Sequence, residues 1–271
     1  MEKLKEKYDV IEKIKPLLNM PERFKDIEDY LCDNSNLPGP RGNLTLAFKF
    51  AECFESNKIS KTSFQQLIIW VSLSQEEAPA NSPKEFLPFC AILSLGSYYI
   101  YANGEEKSII MEQFRKAMND GRWRTREGAA MGLQKIAEED FSIIEKYFLL
   151  WYPNSSCLEK RGFQAALAHP PILKNRHVAE FSLKISEDIL NEITSYDKEK
   201  LMSEEFKVLS KGLQYSLSVF IAYLPEEGFA FLRKYTKINN PELRKIIKSN
   251  LGKARLSKKF PHEVNEILAY L

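Results

Sequence analysis

The stretch Asp120-Gly-Arg-Trp-Arg-Thr-Arg-Glu-Gly-Ala-Ala-Met-Gly-Leu133 is the clearest copy of a pattern that occurs three times in this chain. A second copy follows Asn154, and a third follows Asn240-Pro241. Each copy has a turn residue, a basic residue about one helical turn later, and then small or apolar residues at the spacing of a helix. A further amphipathic segment follows each copy. The pattern therefore predicts repeated helical hairpins.

The spacing of the copies matches a known class of helical repeat. Arg126 and Arg161 are 35 residues apart, and Arg124 and Arg244 are 120 residues apart. The longer interval equals three steps of about 40 residues, the length of a HEAT or armadillo unit. Such units cannot bury their apolar face alone, so they stack into a solenoid. We therefore expect an all-α fold, a right-handed α-solenoid of about six or seven HEAT-like helical hairpins, without β-strands.

Loop-like segments suggest how the expected solenoid is divided. The best boundary candidate is Ser74–Ser82, whose composition is rich in Glu, Ala, Pro and Asn. We predict N-terminal helical repeats of divergent sequence over residues 1–75, beginning with a helix over residues 3–18. Residues 83–271 then form the HEAT-like repeat stack and end in a capping helix, His262–Leu271. Both parts belong to one continuous solenoid.

The charge of the chain is small overall but unevenly placed. The net charge is +2, yet residues 1–120 hold 15 basic and 18 acidic side chains, whereas residues 121–271 hold 24 basic and 19 acidic ones. Within residues 241–260 there are seven basic residues and a single acidic one, Glu242. This asymmetry favours a polyanionic partner for the C-terminal half. The alternative interpretation is that these residues only solvate the outer faces of helices.

The cysteine and histidine patterns do not indicate a metal site. The four cysteines form no Cys-x-x-Cys pair, and the three histidines are not at ligand spacing from them. The cysteines lie among apolar residues, as reduced core thiols of a cytosolic protein do. The sequence has neither a signal-peptide pattern nor an apolar run long enough to span a membrane. We expect a monomeric cytoplasmic protein without a cofactor or metal.

Three stretches carry a resemblance to the HEAT-repeat proteins of bacterial genomes. They are Arg122-Trp-Arg-Thr-Arg-Glu-Gly-Ala-Ala-Met-Gly-Leu-Gln-Lys-Ile136, Lys211-Gly-Leu-Gln-Tyr-Ser-Leu-Ser-Val219 and Leu243-Arg-Lys-Ile-Ile-Lys-Ser-Asn-Leu-Gly-Lys-Ala-Arg-Leu256. Together they look like an uncharacterised HEAT-like, armadillo-type group over residues 105–260. The resemblance is specific for the fold and leaves the function open, because this fold serves many roles.

The relatives of that group with an activity are the HEAT-like DNA alkylation repair glycosylases. The resemblance implies duplex DNA binding in a basic concave groove and excision of alkylated bases at a Trp-Trp-Asp cluster with a further tryptophan and arginine. This chain has no Trp-Trp-Asp sequence: Trp70, Trp123 and Trp151 are scattered, and none precedes an aspartate. No catalytic residue transfers, so a glycosylase is kept as the enzyme-class alternative.

Basic residues near the predicted helix starts are the candidate nucleic-acid-binding site. Equivalent positions of successive repeats would form a stripe of cations able to follow a phosphate backbone. The candidates are Arg122, Arg124, Lys160, Arg161, Arg176, Arg244, Lys248, Lys253 and Arg255. Trp123 and Arg126 are interpreted instead as structural, with Trp123 in the core. Trp151 and Tyr152 are a candidate aromatic contact for a base, or else the packed seam between repeats.

These patterns predict a binding protein more than an enzyme. No nucleophile has an evident base, and no glycine-rich phosphate loop is present. We expect a non-catalytic scaffold that binds DNA or another nucleic acid through a basic concave face. Two alternatives stay open: a glycosylase-like enzyme, and a protein–protein scaffold that does not bind nucleic acid.

Overall fold

A computed structural model describes residues 11–271 of the chain, and within that range it is entirely helical. Helices account for 76% of the residues, and none of the described residues lies in a β-strand. This confirms the predicted all-α class. The first eight residues of the helix predicted over residues 3–18 lie outside the described residues. Its last part is a helical turn that continues into the 3-10 helix Lys15–Leu17.

The chain divides into two compact units, Met1–Glu139 and Asp140–Leu271. The α-helices of the first unit are α1 (Phe24–Asp33), α2 (Leu44–Glu52), α3 (Lys61–Val71), α4 (Phe86–Tyr98), α5 (Gly104–Met118) and α6 (Trp123–Glu139). Its other 3-10 helices are Pro21–Arg23, Pro83–Glu85 and Tyr99–Tyr101.

The second unit holds both long and very short helices. Its α-helices are α7 (Phe141–Trp151), α8 (Cys157–Leu167), α9 (Pro170–Leu173), α10 (Arg176–Thr194), α11 (Lys198–Met202), α12 (Glu204–Tyr223), α13 (Pro225–Thr236), α14 (Pro241–Leu251), α15 (Ala254–Ser257) and α16 (Pro261–Leu268). A 3-10 helix, Tyr152–Asn154, follows α7. The predicted capping helix corresponds to α16.

Helix α4 is the centre of the first unit, and every one of its residues is buried. It packs between α2 and α6 and also contacts α3 and α5. The crossing with α6 is very close, because a Cβ atom on Gly96 would lie 2.6 Å from the Cα atom of Gly132. The glycines of the quoted Gly-Ala-Ala-Met-Gly stretch therefore permit contact between helix backbones, since any larger side chain at the crossing would separate them.

Side-chain caps explain where several helices begin. The Asn43 side chain accepts a hydrogen bond from the Leu46 amide at 3.1 Å, as the sequence predicts for that position. Asn103 and Ser156 form capping boxes with the glutamates three residues later. Asn240, the turn residue of the third repeat copy, accepts from the Glu242 amide at 3.0 Å. The turn residue of the third copy thus starts its helix by satisfying free backbone amides, whereas in the second copy Ser156, and not Asn154, is the capping residue.

Helix α12 is the centre of the second unit. It packs against α8, α10, α13 and α14. The buried Asn250 side chain joins α14 to α12, because it donates to the Leu213 carbonyl at 2.8 Å and accepts from the Ser218 amide at 2.8 Å. These bonds satisfy polar atoms that burial would otherwise leave without partners.

The division between the units differs from the boundary that composition suggests. It falls between Glu139 and Asp140, whereas Ser74–Ser82 lies inside the first unit. The carbonyls of that segment accept hydrogen bonds from Arg122, which is 44 or more residues away in the chain. A stretch rich in Pro, Ser and Asn can therefore be an integral part of a compact unit when a buried donor occupies its carbonyls.

Candidate nucleic-acid interface

Arg122 is buried and its guanidinium is fully engaged within the first unit. It is 2% exposed. Nη2 donates to the Leu73 carbonyl at 2.8 Å and Nη1 to the Ala78 carbonyl at 3.0 Å. Nε and Nη2 also donate to the two carboxylate oxygens of Asp120, at 2.9 and 2.6 Å. This burial argues against the predicted phosphate contact and gives Arg122 the role of joining the start of α6 to the end of α3.

Arg124 lies nearby in a second buried ion pair. Its Nη1 donates to Glu85 Oε2 at 2.8 Å, and its Nη2 donates to the Gly39 carbonyl at 2.6 Å. Glu85 is 0% exposed and also accepts from the Asn81 amide at 2.6 Å. Because neither charge faces solvent, Arg124 is removed from the candidate interface for the same reason as Arg122.

The prediction that Trp123 lies in the core is wrong. Its side chain is 49% exposed at the first residue of α6, with the Arg124 guanidinium carbon 4.8 Å from the ring centroid. The two flanking arginines turn inward, which leaves the tryptophan between them facing outward. The structural interpretation of Arg126 is confirmed, because its Nη1 donates to the carbonyls of Asp120 and Gly121 at the preceding turn.

Lys160, the basic residue of the second copy, is also buried. Its Nζ lies 2.8 Å from Glu192 Oε2 and 5.4 Å from the centroid of the Tyr152 ring. Burial alone would raise the pKa of Glu192, but the hydrogen bond and the charge of Lys160, together with hydrogen bonding from nearby tyrosines such as Tyr196, outweigh this effect and lower it. Burial, with the nearby Glu192 charge, raises the pKa of Tyr152. This cluster ties α8 to α10.

The aromatic pair at the end of α7 forms a seam inside the second unit. Trp151 is buried and stacks on Phe163 of α8, with ring centroids 6.5 Å apart and planes 18° apart. Phe148 also packs on Phe163, at 4.4 Å. Tyr152 is half-buried beneath Lys160. The packing favours the seam interpretation for Trp151, whose ring is covered, while Tyr152 stays partly exposed.

The remaining candidates fall into two groups. Arg161 and Arg244 are half-buried. Arg176 is exposed, but its charge is balanced by Glu180, 2.7 Å from its Nε, and by a close contact with Glu227. Both carboxylates raise the pKa of Arg176, Glu227 contributing more. A cation already paired with two carboxylates contributes little to attraction of a polyanion.

The last three candidates lie within eight residues of one another, at the end of α14 and in the segment that follows it. Lys248 is exposed, and Lys253 and Arg255 are half-exposed. Arg255 Nη2 donates to the Tyr215 hydroxyl at 3.0 Å, and its guanidinium carbon is 4.8 Å from the Tyr215 ring centroid. Ser249, next to Lys248, donates to the Gln214 carbonyl at 3.2 Å. These contacts pack the segment that carries the three basic residues against α12 near Tyr215, and Arg255 is the one of them that touches the ring.

Tyr215 and Lys211 are parts of this surface that the sequence reasoning missed. Tyr215 is 50% exposed, and the exposed Lys211 lies one helical turn earlier on the same helix. The stretch Lys211–Val219 quoted above contains a pattern that predicts the exposure of both residues. Leu213 and Leu217 mark the buried face of α12, and Tyr215 falls off that face at the i+4 position from Lys211.

Features expected of an enzyme are weakly represented. Trp70 does meet a carboxylate, since its indole nitrogen donates to Glu28 Oε1 at 2.7 Å, but the tryptophan is only 2% exposed and cannot stack on a base. Within residues 11–271, no group of three or more His, Cys, Asp or Glu side chains is arranged to hold a metal ion.

Three of the four thiols, those of Cys53, Cys90 and Cys157, are buried, and that of Cys32 is partly exposed. All four cysteines are free, and burial raises the pKa of Cys53 to about 11. Burial also raises the pKa of Cys157, although its position at a helix start would favour a small decrease. None of the helices in the described part of the chain is both long enough and apolar enough to cross a membrane.

Comparison with known proteins returned no relative: no protein-family model, curated protein or solved structure matches this chain. The HEAT-like resemblance therefore rests on the residues quoted for it, and the functional argument rests on the geometry of the site.

Proposed function

We propose that the protein is a non-catalytic binding protein whose second unit binds nucleic acid. The proposed contact surface consists of Lys211, Tyr215, Lys248, Lys253 and Arg255, and is called the Tyr215 surface below. The observation that carries the proposal is the meeting of an exposed aromatic ring with cations that carboxylates do not balance.

The lysines of this surface differ from several other cations of the second unit in that no carboxylate within residues 11–271 pairs with them. Residues 140–271 hold 20 basic and 16 acidic side chains, and many exposed cations there are paired. Arg233 pairs with Glu266 at 2.6 Å, and Lys234 pairs with Glu187 at 2.6 Å. Among the described residues, Lys211, Lys248 and Lys253 form no ion pair. Unpaired cations release counterions from bound phosphates, which is the main source of affinity for nucleic acid.

We also propose that each unit is a stack of HEAT-like hairpins. In the first unit, α2, α4 and α6 pack in one row, and α3 and α5 contact each other beside it. In the second, α8, α12 and α14 make one row, whereas α10, α13 and α16 make another. Two parallel rows of alternating helices are the arrangement that stacked hairpins produce. The right-handed path, the concave face and the number of hairpins stay predictions.

A salt titration with labelled oligonucleotides tests the binding proposal. Affinity should fall log-linearly with salt, and Lys248→Ala should reduce the slope by about 0.7 to 0.9, because the variant neutralises one phosphate fewer. Arg176→Ala is the matched control, because it also removes one exposed positive charge, but one that Glu180 and Glu227 already balance. That control should leave the slope unchanged.

The same experiment separates the alternatives. If neither single-stranded nor duplex nucleic acid binds at low salt, the proposal fails and the protein–protein scaffold is favoured. If Arg176→Ala and Lys248→Ala reduce the slope equally, binding depends on net charge and the Tyr215 surface is not the site.

A further inference from the structure

We infer that the Tyr215 surface takes single-stranded nucleic acid and that Tyr215 stacks on an unpaired base. The inference rests on the proposed function, since it specifies the ligand of the same surface. It concerns the form of the nucleic acid, which the charge argument alone leaves open.

The position of Tyr215 is fixed while half of its surface stays accessible. Helix α12 is anchored on both sides of the residue by the buried Leu213 and Leu217. Arg255 then holds the side chain through the hydroxyl bond and the cation–π contact described above. An aromatic ring that is oriented in advance loses little side-chain entropy when a planar ligand stacks on it.

The chemistry of stacking selects an unpaired base. In a duplex, the faces of each base are covered by its neighbours, whereas an unstacked base offers its whole π-face to a side chain. Stacking on an aromatic residue contributes about 1–3 kcal/mol per base and tolerates any base. A tyrosine on an exposed helix surface is therefore suited to a single strand.

The cations of the Tyr215 surface would hold the backbone on either side of the stacked base. Lys211 precedes Tyr215 by one turn of α12, which separates their Cβ atoms by about 5–6 Å. On the α14 side, Lys248 adjoins Ser249, whose hydroxyl donates to the carbonyl of Gln214, the residue before Tyr215. Arg255 adds a guanidinium at the ring itself. Phosphates that flank one base could meet Lys211 and Lys248.

The test compares a fluorescein-labelled oligothymidine with a labelled duplex of mixed sequence, using the full chain. Tyr215→Ala should weaken oligothymidine binding by about 5- to 150-fold, the equivalent of 1–3 kcal/mol, and leave the salt slope unchanged. Tyr215→Phe keeps the ring and should retain most of the affinity. Tyr223→Ala removes another partly exposed tyrosine of α12 and should have no effect. Circular dichroism melting curves establish that each variant is folded.

The outcomes test the inference and the proposed nucleic-acid binding separately. Tighter binding of the single strand, with weakening specific to Tyr215→Ala, supports the inference. Equal binding of duplex and single strand, with Tyr215→Ala unchanged, overturns it while nucleic-acid binding stands. Absence of binding by both probes at low salt overturns the proposed function and the inference together.

Discussion

Helices α6 and α14 come from two copies of one repeated pattern, yet the basic residues at the start of α6 differ in environment from those of α14 and α15. Arg244, the basic residue that the pattern places in α14, is half-buried. Arg122 and Arg124 are buried against carbonyls and the Glu85 carboxylate, whereas Lys248 is exposed and Arg255 is half-exposed beside Tyr215. Lys160 of the second copy is buried against Glu192, whose side chain stays partly exposed. A basic residue of this pattern is structural where acceptors from a neighbouring helix end reach it, and is available to a ligand where none does.

The largest expected effect is on stability, from Arg124→Ala. This change leaves Glu85 buried without its counter-charge, which costs about 3–5 kcal/mol. Denaturant unfolding should show a large fall in the midpoint, whereas Arg176→Ala, which breaks only exposed ion pairs, should leave the midpoint nearly unchanged. If Arg124→Ala abolished nucleic-acid binding without lowering stability, the structural role of Arg124 would be wrong. The contrast between buried and exposed basic residues would then fail.

A second expected difference concerns two glycines, one from each unit. A Cβ atom on Gly132 would lie 2.6 Å from the Phe114 ring and 3.0 Å from the Ile92 carbonyl, so Gly132→Ala should destabilise the fold by about 1–3 kcal/mol. On Gly212 it would meet a single atom, Cγ of the half-buried Arg161, at 3.1 Å. There the helix propensity of alanine, about 1 kcal/mol better than that of glycine, should make Gly212→Ala neutral or stabilising.

Thermal unfolding of the two variants measures this difference directly. Gly104→Ala is the control, because nothing lies within 4 Å of the Cβ atom that it adds at the start of α5. Equal destabilisation by Gly132→Ala and Gly212→Ala would show that the close crossing of α4 and α6 does not set the first unit apart.

The smallest of these effects concerns the intermediate case, Lys160 with Glu192. The folded-state pKa of Glu192 lies below its ordinary value of 4.5, so ionised Glu192 adds stability above that pH. The contribution is lost as pH falls through the lowered pKa. The melting temperature of the wild type should therefore exceed that of Glu192→Gln at neutral pH, and the difference should shrink in acid. A difference that is constant with pH would place the effect in packing instead of charge.

Local patterns predict the parts of the molecule that depend on local contacts. The helical class, the Asn43 cap and the apolar helix that begins near Pro83 all follow from residue spacing and capping chemistry. The burial of Arg122 and Arg124 cannot be predicted in this way. The acceptors of Arg124 lie 39 and 85 residues away in the chain, at Glu85 and Gly39. Periodicity carries no information about contacts at that distance.

The candidate site is predicted only in part for the same reason. Lys248, Lys253 and Arg255 stand out from the charge of residues 241–260, but Tyr215 joins them only through packing of α12 against α14. Trp123 shows the opposite error, a residue predicted to be buried that is exposed. The prediction of its burial rests on its residue type alone. Its position at the first residue of a helix, between two arginines that turn inward, decides its exposure instead.

The hydrogen bonds of Arg122 have a consequence for how the chain responds to a protease. Residues 73–78 have the composition of a flexible linker, yet the carbonyls of Leu73, Ser74 and Ala78 are all held by one buried guanidinium. A protease binds its substrate as an extended segment that has come away from the folded protein. Local unfolding of this segment requires several charge-assisted hydrogen bonds to break at once. The segment whose composition looks most cleavable is therefore protected from cleavage in the folded protein.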